Sequence, residues 1–171
     1  MKRLYLLRHA KAEQQLPAQQ DIERSLTEVG RQAAGQVANY FLAHNYKPDI
    51  AICSPAARTR QTLEILAEKA NFNCRFRFPQ KLYLATPGTM ISEISKIEDS
   101  TNSLLLVGHN SGMQELSMLL SENASTEFMR DMAMNYPTAA LSIFNFPFDS
   151  WKMVEPYSGE LIDFTYPRKL I

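Results

Sequence analysis

Three short polar clusters each follow directly on an apolar run. They are Arg8-His9 after Lys2 to Leu7, Ser54 to Arg58 after Asp49 to Cys53, and Gly108-His109-Asn110 after Ser103 to Val107. Together they hold Arg8, Arg58, His9 and His109, two of the chain's three histidines among them. Guanidinium groups grip phosphate through paired N–H donors, and imidazole is the side chain whose charge changes near neutral pH. Brought together, these four would form an anion site with an ionisable nitrogen beside the bound group. Singly, each has a plainer reading. Arg58 falls in the opening turn of a helix, where a cation costs up to ~1 kcal/mol unless an anion sits between it and the helix end. Arg8 ends a buried strand, where an unpaired arginine is rarely left. His44 lies on an apolar stripe near a helix C-terminus and reads as structural. Two histidines with no third ligand at a workable spacing do not make a zinc site, so neither metal nor cofactor is expected.

The elements that must position these residues follow from hydrophobic patterning. Short apolar runs alternate with stretches of helical period, which predicts an α/β layer fold. Strands are expected over Lys2 to Leu7, Asp49 to Cys53, Asn73 to Phe78 and Ser103 to Val107, with a terminal pair over Ala139 to Phe146 and Trp151 to Glu155. The last ten or so residues receive no element. Helices are expected from Thr27 to His44, with Val29, Ala33, Val37, Tyr40 and Phe41 on one face, from Pro87 to Ile97, and up to Leu120. Another is expected from Ser54-Pro55, as N-cap and first residue, to Lys69. Either Ser25, in a Ser-x-x-Glu capping box with Glu28, or Thr27 caps the first helix. Each polar cluster then lies at the carboxyl end of a strand, the edge where open α/β sheets bind ligands.

Length and composition narrow the function. At 171 residues, with 45% hydrophobic and 21% charged residues, the chain suits one domain over residues 1–171. Eighteen basic and eighteen acidic side chains give a formal net charge of +0, which disfavours nucleic-acid or anionic-membrane coating. Cys53 and Cys74 form no CxxC pair, and Cys53 reads as a small buried hydrophobe. The apolar run before Arg8 is too short for a signal-peptide core, and no stretch approaches about 18 apolar residues. A cytoplasmic setting is the expectation, in which the Asn123-Ala124-Ser125 sequon carries no meaning.

In order and spacing these residues resemble the histidine phosphatase superfamily, which includes the phosphoglycerate mutases. Leu7-Arg8-His9-Ala10 is similar to its Arg-His-Gly/Ala motif, and Leu26-Thr27-Glu28-Val29-Gly30 to its Leu-Thr-x-x-Gly helix start. Ser54-Pro55-Ala56-Ala57-Arg58-Thr59-Arg60-Gln61-Thr62 resembles its Ser-Pro-x-x-Arg-x-x-Gln-Thr segment, and Val107-Gly108-His109-Asn110 its second-histidine motif. The resemblance covers residues 1 to about 146. Short length, few insertions and the Asp21-Ile22-Glu23-Arg24 step liken the chain to the SixA-type phosphohistidine phosphatases. The resemblance implies a three-layer fold, with a mostly parallel central sheet and helices on both faces. It also implies roles. His9 would attack phosphorus, its other ring N–H held by a backbone carbonyl. Arg8, Arg58 and His109 would hold the equatorial oxygens, and Arg24 and Asn110 would contact substrate.

One departure bears on the substrate. Mutases and many broader phosphatases carry a glutamate general acid after the third strand, but Leu82-Tyr83-Leu84-Ala85-Thr86-Pro87 holds no carboxylate. Glu93 is expected to face solvent from the next helix. Without an acid, worth about 10²–10⁴-fold, an alkoxide leaves poorly, whereas a phosphorylated imidazole can carry its own ring proton. That favours phosphohistidine, on a phosphorylated protein, over a small phosphorylated substrate. Two rivals stand: a phosphomonoesterase with Asp21 as substitute acid, and a phosphate-binding module without catalysis. Thr138 is expected to be a plain turn residue outside the site.

Overall fold

A computed structural model describes residues 1–122 and 126–171; the Asn123-Ala124-Ser125 sequon lies outside the described residues. Its sheet is six-stranded, in the order β3-β2-β4-β1-β5-β6. The strands are β1 (Lys2–Arg8), β2 (Ile50–Cys53), β3 (Arg75–Arg77), β4 (Ser103–Gly108), β5 (Leu141–Phe146) and β6 (Glu160–Thr165). β1 pairs in parallel with β4, and β2 in parallel with both β4 and β3. β5 runs antiparallel to β1 and to β6. The chain therefore forms a mixed α/β sheet, mostly parallel, as expected.

The alternation of side chains along each strand divides the core into two layers. Leu4, Leu6, Ile52, Leu104, Leu106 and Phe144 face the helices α3 (Pro87–Ser95), α4 (Gly112–Leu120) and α5 (Thr126–Met134). Tyr5, Leu7, Ala51, Cys53, Leu105 and Val107 face α1 (Glu28–Ala43) and α2 (Ala57–Lys69). Strands covered on both faces read as unbroken apolar runs, which is why β1, β2 and β4 were legible. The crossover order slots β4 between β1 and β2. The register pairs Arg8 with Gly108 and Cys53 with Val107, so three strands end side by side.

Several elements differ from expectation. Trp151–Met153 is a 3-10 turn, not a strand; its indole is fully buried and donates to the Thr101 carbonyl at 2.8 Å. The partner of β5 is β6, in the stretch left unassigned. α5 had no sequence expectation. α2 begins at Ala57 with Ala56 as its N-cap, two residues later than expected, and the Ser54 hydroxyl accepts from the Ala56 N–H at 3.4 Å. Thr27 caps α1, its hydroxyl accepting from the Gly30 N–H at 2.9 Å. The buried face of α1 is Gly30, Ala34, Gly35, Val37, Ala38 and Phe41, whereas Val29 is 61% exposed. α1 packs closely on α2, and close approach selects small residues rather than the largest apolar ones. His44 is exposed rather than part of an apolar face. Its Nδ1 lies 2.9 Å from the Tyr40 carbonyl, and its ring stacks on Tyr46.

Candidate active site

Backbone hydrogen bonds continue past the strand ends and fix the first histidine from both sides. The His9 N–H donates to the Gly108 carbonyl (3.1 Å), and the His9 carbonyl accepts from Ala139 (2.9 Å). α2 reaches across with three residues of its Arg58-x-x-Gln61-Thr62 run, which share one helix face. The Thr62 hydroxyl accepts from the Ala10 N–H (3.0 Å) and donates to the Arg58 carbonyl (2.7 Å). Gln61 accepts from the Leu26 N–H at 2.8 Å, tying down the approach to α1. The run thus locks the segments on either side of the site while Arg58 reaches into it.

Arg8, His9, Asp21, Arg24, Arg58, His109 and Asn110 all line one cleft of about 410 Å³. The seven residues expected to act together are therefore together. The rings of His9 and His109 lie 5.4 Å apart, centre to centre. His9 Nδ1 lies 2.6 Å from the Ala10 carbonyl. A carbonyl can only accept, so Nδ1 carries the proton and Nε2 keeps its lone pair. Burial, with Arg58, Arg8 and Arg24 close by, pushes the His9 imidazole down to about 4, although the Ala10 contact works the other way. Burial and the Arg58 charge push His109 down to about 3. Both rings are therefore neutral at neutral pH.

Arg58 is 2% exposed and donates to Asp21 twice, from Nη1 to its carbonyl (2.8 Å) and from Nη2 to its carboxylate (3.0 Å). Arg24 Nε donates to the other carboxylate oxygen at 2.9 Å. The Tyr83 hydroxyl donates to Asp21 as well, and this bond together with the two arginines holds the carboxyl down at about 2. Asp21 is a counter-ion to the two arginines and has no proton to give near neutrality. Arg8 Nη1 donates to the Tyr136 carbonyl at 2.7 Å. The Asn110 side chain bonds weakly to that carbonyl (3.4 Å) and accepts from the Gln114 N–H at 3.1 Å. Among the described residues, the buried side-chain nitrogens and oxygens without a partner are Arg8 Nε, Arg58 Nε and His109 Nδ1. All three belong to side chains lining this cleft.

Two expectations need correcting. Glu93 does not face solvent: it is 8% exposed, on the buried side of α3 and paired with Lys96 at 2.6 Å. Thr138 lines the cleft wall, because the turn before β5 folds over His9. Other contributors escaped sequence reasoning. Ser54 Oγ lies 2.7 Å from His109 Nε2, and Tyr83 stands edge-on to His109 at 5.4 Å. Tyr83 sits in the stretch searched only for a carboxylate, and a phenol there was the available signal.

The α/β fold thus carries a cationic, two-histidine cleft at the carboxyl edge of its sheet, and comparison with known proteins gives its family. Residues 4–78 match the model of the histidine phosphatase superfamily, branch 1. An uncharacterized protein of Mycobacterium tuberculosis is 30% identical over 150 residues, 86% of this chain and 92% of that one. A candidate phosphohistidine phosphatase SixA from Agrobacterium tumefaciens superposes with a TM-score of 0.80 at 29% identity, over 97% of this chain and 98% of that one. The protein histidine phosphatase SixA in complex with tungstate superposes equally well, TM-score 0.80, at 18% identity over 99% of both chains. The chain belongs to the histidine phosphatase superfamily and to its SixA-like branch.

Proposed function

We propose that this phosphatase hydrolyses phosphohistidine on a protein, without a metal, through a phosphorylated His9. The observation that carries the reading is the set of three orphaned nitrogens around His9. A buried polar group without a partner costs about 1–3 kcal/mol, so three on one cleft mark a place for a ligand. A phosphoryl group has three peripheral oxygens for Arg8 Nε, Arg58 Nε and His109 Nδ1. In the tautomer this assigns to His109, Nε2 accepts from the Ser54 hydroxyl 2.7 Å away and Nδ1 is an N–H donor. Arg24 and Asn110 complete the contacts to substrate.

The His9 Nε2 lone pair attacks phosphorus as the bond to the substrate's ring nitrogen breaks, and the departing imidazole keeps the proton on its other nitrogen. Charge accumulating on the three oxygens meets donors already in place, the electrostatic contribution that dominates phosphoryl transfer. Water then attacks the phosphorus, the Nε2–P bond breaks with its electron pair returning to His9, and the water's protons leave with the phosphate. This divides one displacement into two. His9 is suited to its part because it is unprotonated at working pH.

The phosphomonoesterase reading needs an acid for the alkoxide. Asp21, ionised by Arg24, Arg58 and Tyr83, is a poor one, so the preference falls on the leaving group that needs least help. Phosphate release from a phosphohistidine protein and from an alkyl phosphomonoester, measured side by side, tests this. Wild type is expected to prefer phosphohistidine, His9→Ala to lose both activities, and Asp21→Asn to leave the leaving-group preference intact. Equal or better ester turnover that collapses in Asp21→Asn favours the esterase. Phosphate binding without turnover of either leaves only a binding module.

A further inference from the structure

A second cavity, of about 260 Å³, opens beside the candidate active site and shares Lys11 and Thr138 with it. Its remaining walls include Val29 and Ala33 of α1, Pro137, and Tyr166, Pro167 and Arg168 near the C-terminus. Tyr166 is held in place from behind: its hydroxyl donates to Asp131 at 3.2 Å, and Lys169 forms an ion pair with the same carboxylate. Val29 stands 61% exposed on this side of the cleft and Leu84 56% exposed on the cleft's own wall. Leu84 takes a φ of 50°, a left-handed conformation that a leucine rarely adopts. Among the described residues, the charged side chains lining the groove are Lys11 and Arg168.

We infer that this groove docks the polypeptide flanking the phosphorylated residue of a protein substrate, through an apolar side chain with acidic neighbours. The inference rests on the phosphohistidine reading and deepens it. Because both cavities are lined by Lys11 and Thr138, a carrier longer than one amino acid has a continuous surface from His9 to the groove. Apolar walls select an apolar side chain. The basic rim selects carboxylates beside it, in a protein whose overall charge balances. A free phosphohistidine or a small phosphate ester would meet the cleft alone.

The test uses three substrates: a phosphohistidine peptide with leucine and glutamates next to the phosphohistidine, the same peptide with glycines and lysines there, and free phosphohistidine. Wild type is expected to prefer the leucine–glutamate peptide by about tenfold in kcat/KM, equivalent to ~1.4 kcal/mol. Val29→Asp and Arg168→Glu are expected to abolish that preference while cleaving free phosphohistidine at the wild-type rate. Val29 lies in the first turn of α1, where an aspartate suits the helix dipole, so the variant should fold. Equal kcat/KM on all three substrates, unaffected by either variant, overturns the groove and leaves the phosphohistidine reading standing. Cleavage of an aryl phosphomonoester with none of the three overturns both.

Discussion

His9 and His109 differ in what holds them, and that difference is testable atom by atom. The Ala10 carbonyl fixes the proton of His9 on Nδ1, while His109 depends on one hydroxyl, that of Ser54. With the two rings pushed to about 4 and about 3, both should stay neutral from pH 8 down to about 5. Nitrogen-15 NMR of the imidazoles should show Nδ1–H forms for both, with protonation only as pH falls towards 4. A His9 titration near its ordinary value of about 6.5 would contradict the burial argument. Ser54→Ala should turn His109 into a mixture of ring tautomers and lower kcat/KM about tenfold, the scale of one lost hydrogen bond, with Ser54→Thr restoring both. An unchanged tautomer in Ser54→Ala would remove Ser54 from the account. At this scale the sequence was informative about cations and histidines, whose types announce their chemistry. It was silent about Ser54 and Tyr83, which act only through neighbours supplied by distant strands.

The helices carry the site through close contacts that small residues permit. A Cβ at Gly30 would lie 2.1 Å from the Lys11 carbonyl oxygen, which also accepts from the Thr27 N–H. The start of α1 thus presses on the segment leaving His9, and this gives the Leu-Thr-x-x-Gly motif a physical reason. Gly30→Ala should destabilise the fold by about 1–3 kcal/mol, the usual range for overpacking, and lower activity by displacing Lys11. Chemical denaturation and phosphatase assay together check this; a neutral substitution would mean the contact relaxes freely. The same crowding explains why the face of α1 was misjudged. Counting large apolar residues put Val29 inside, whereas the buried face holds Gly30 against Lys11, Gly35 against Lys69 of α2, and Ala34 and Ala38. β6 escaped for a related reason. It carries Glu160 and Asp163 on an edge strand, so its pattern is only half apolar, while the aromatic Trp151 drew attention to a turn.

Across the whole molecule, one topological fact does most of the work. Inserting β4 between β1 and β2 makes neighbours of residues 8–9, 54–58 and 108–110, and Asp21 and Arg24 close over them from the loop before α1. The parallel order was foreseeable from alternating strands and helices, and the carboxyl-end placement from the polar clusters that follow them. What the cleft holds in reserve was not foreseeable: three nitrogens without partners and a carboxylate kept ionised depend on packing distances. The described residues include no helix long and apolar enough to cross a membrane. The central claim is a covalent phosphoryl group on His9. Mixing the enzyme with a ³²P-labelled phosphohistidine protein, quenching in denaturant at alkaline pH within milliseconds and locating the label by mass spectrometry addresses it directly. An acid-labile, base-stable phosphate is expected on His9, absent from His9→Ala and present in His109→Ala at a reduced rate of formation. Full turnover by wild type with no labelled enzyme at any time, or label on another residue, would contradict it.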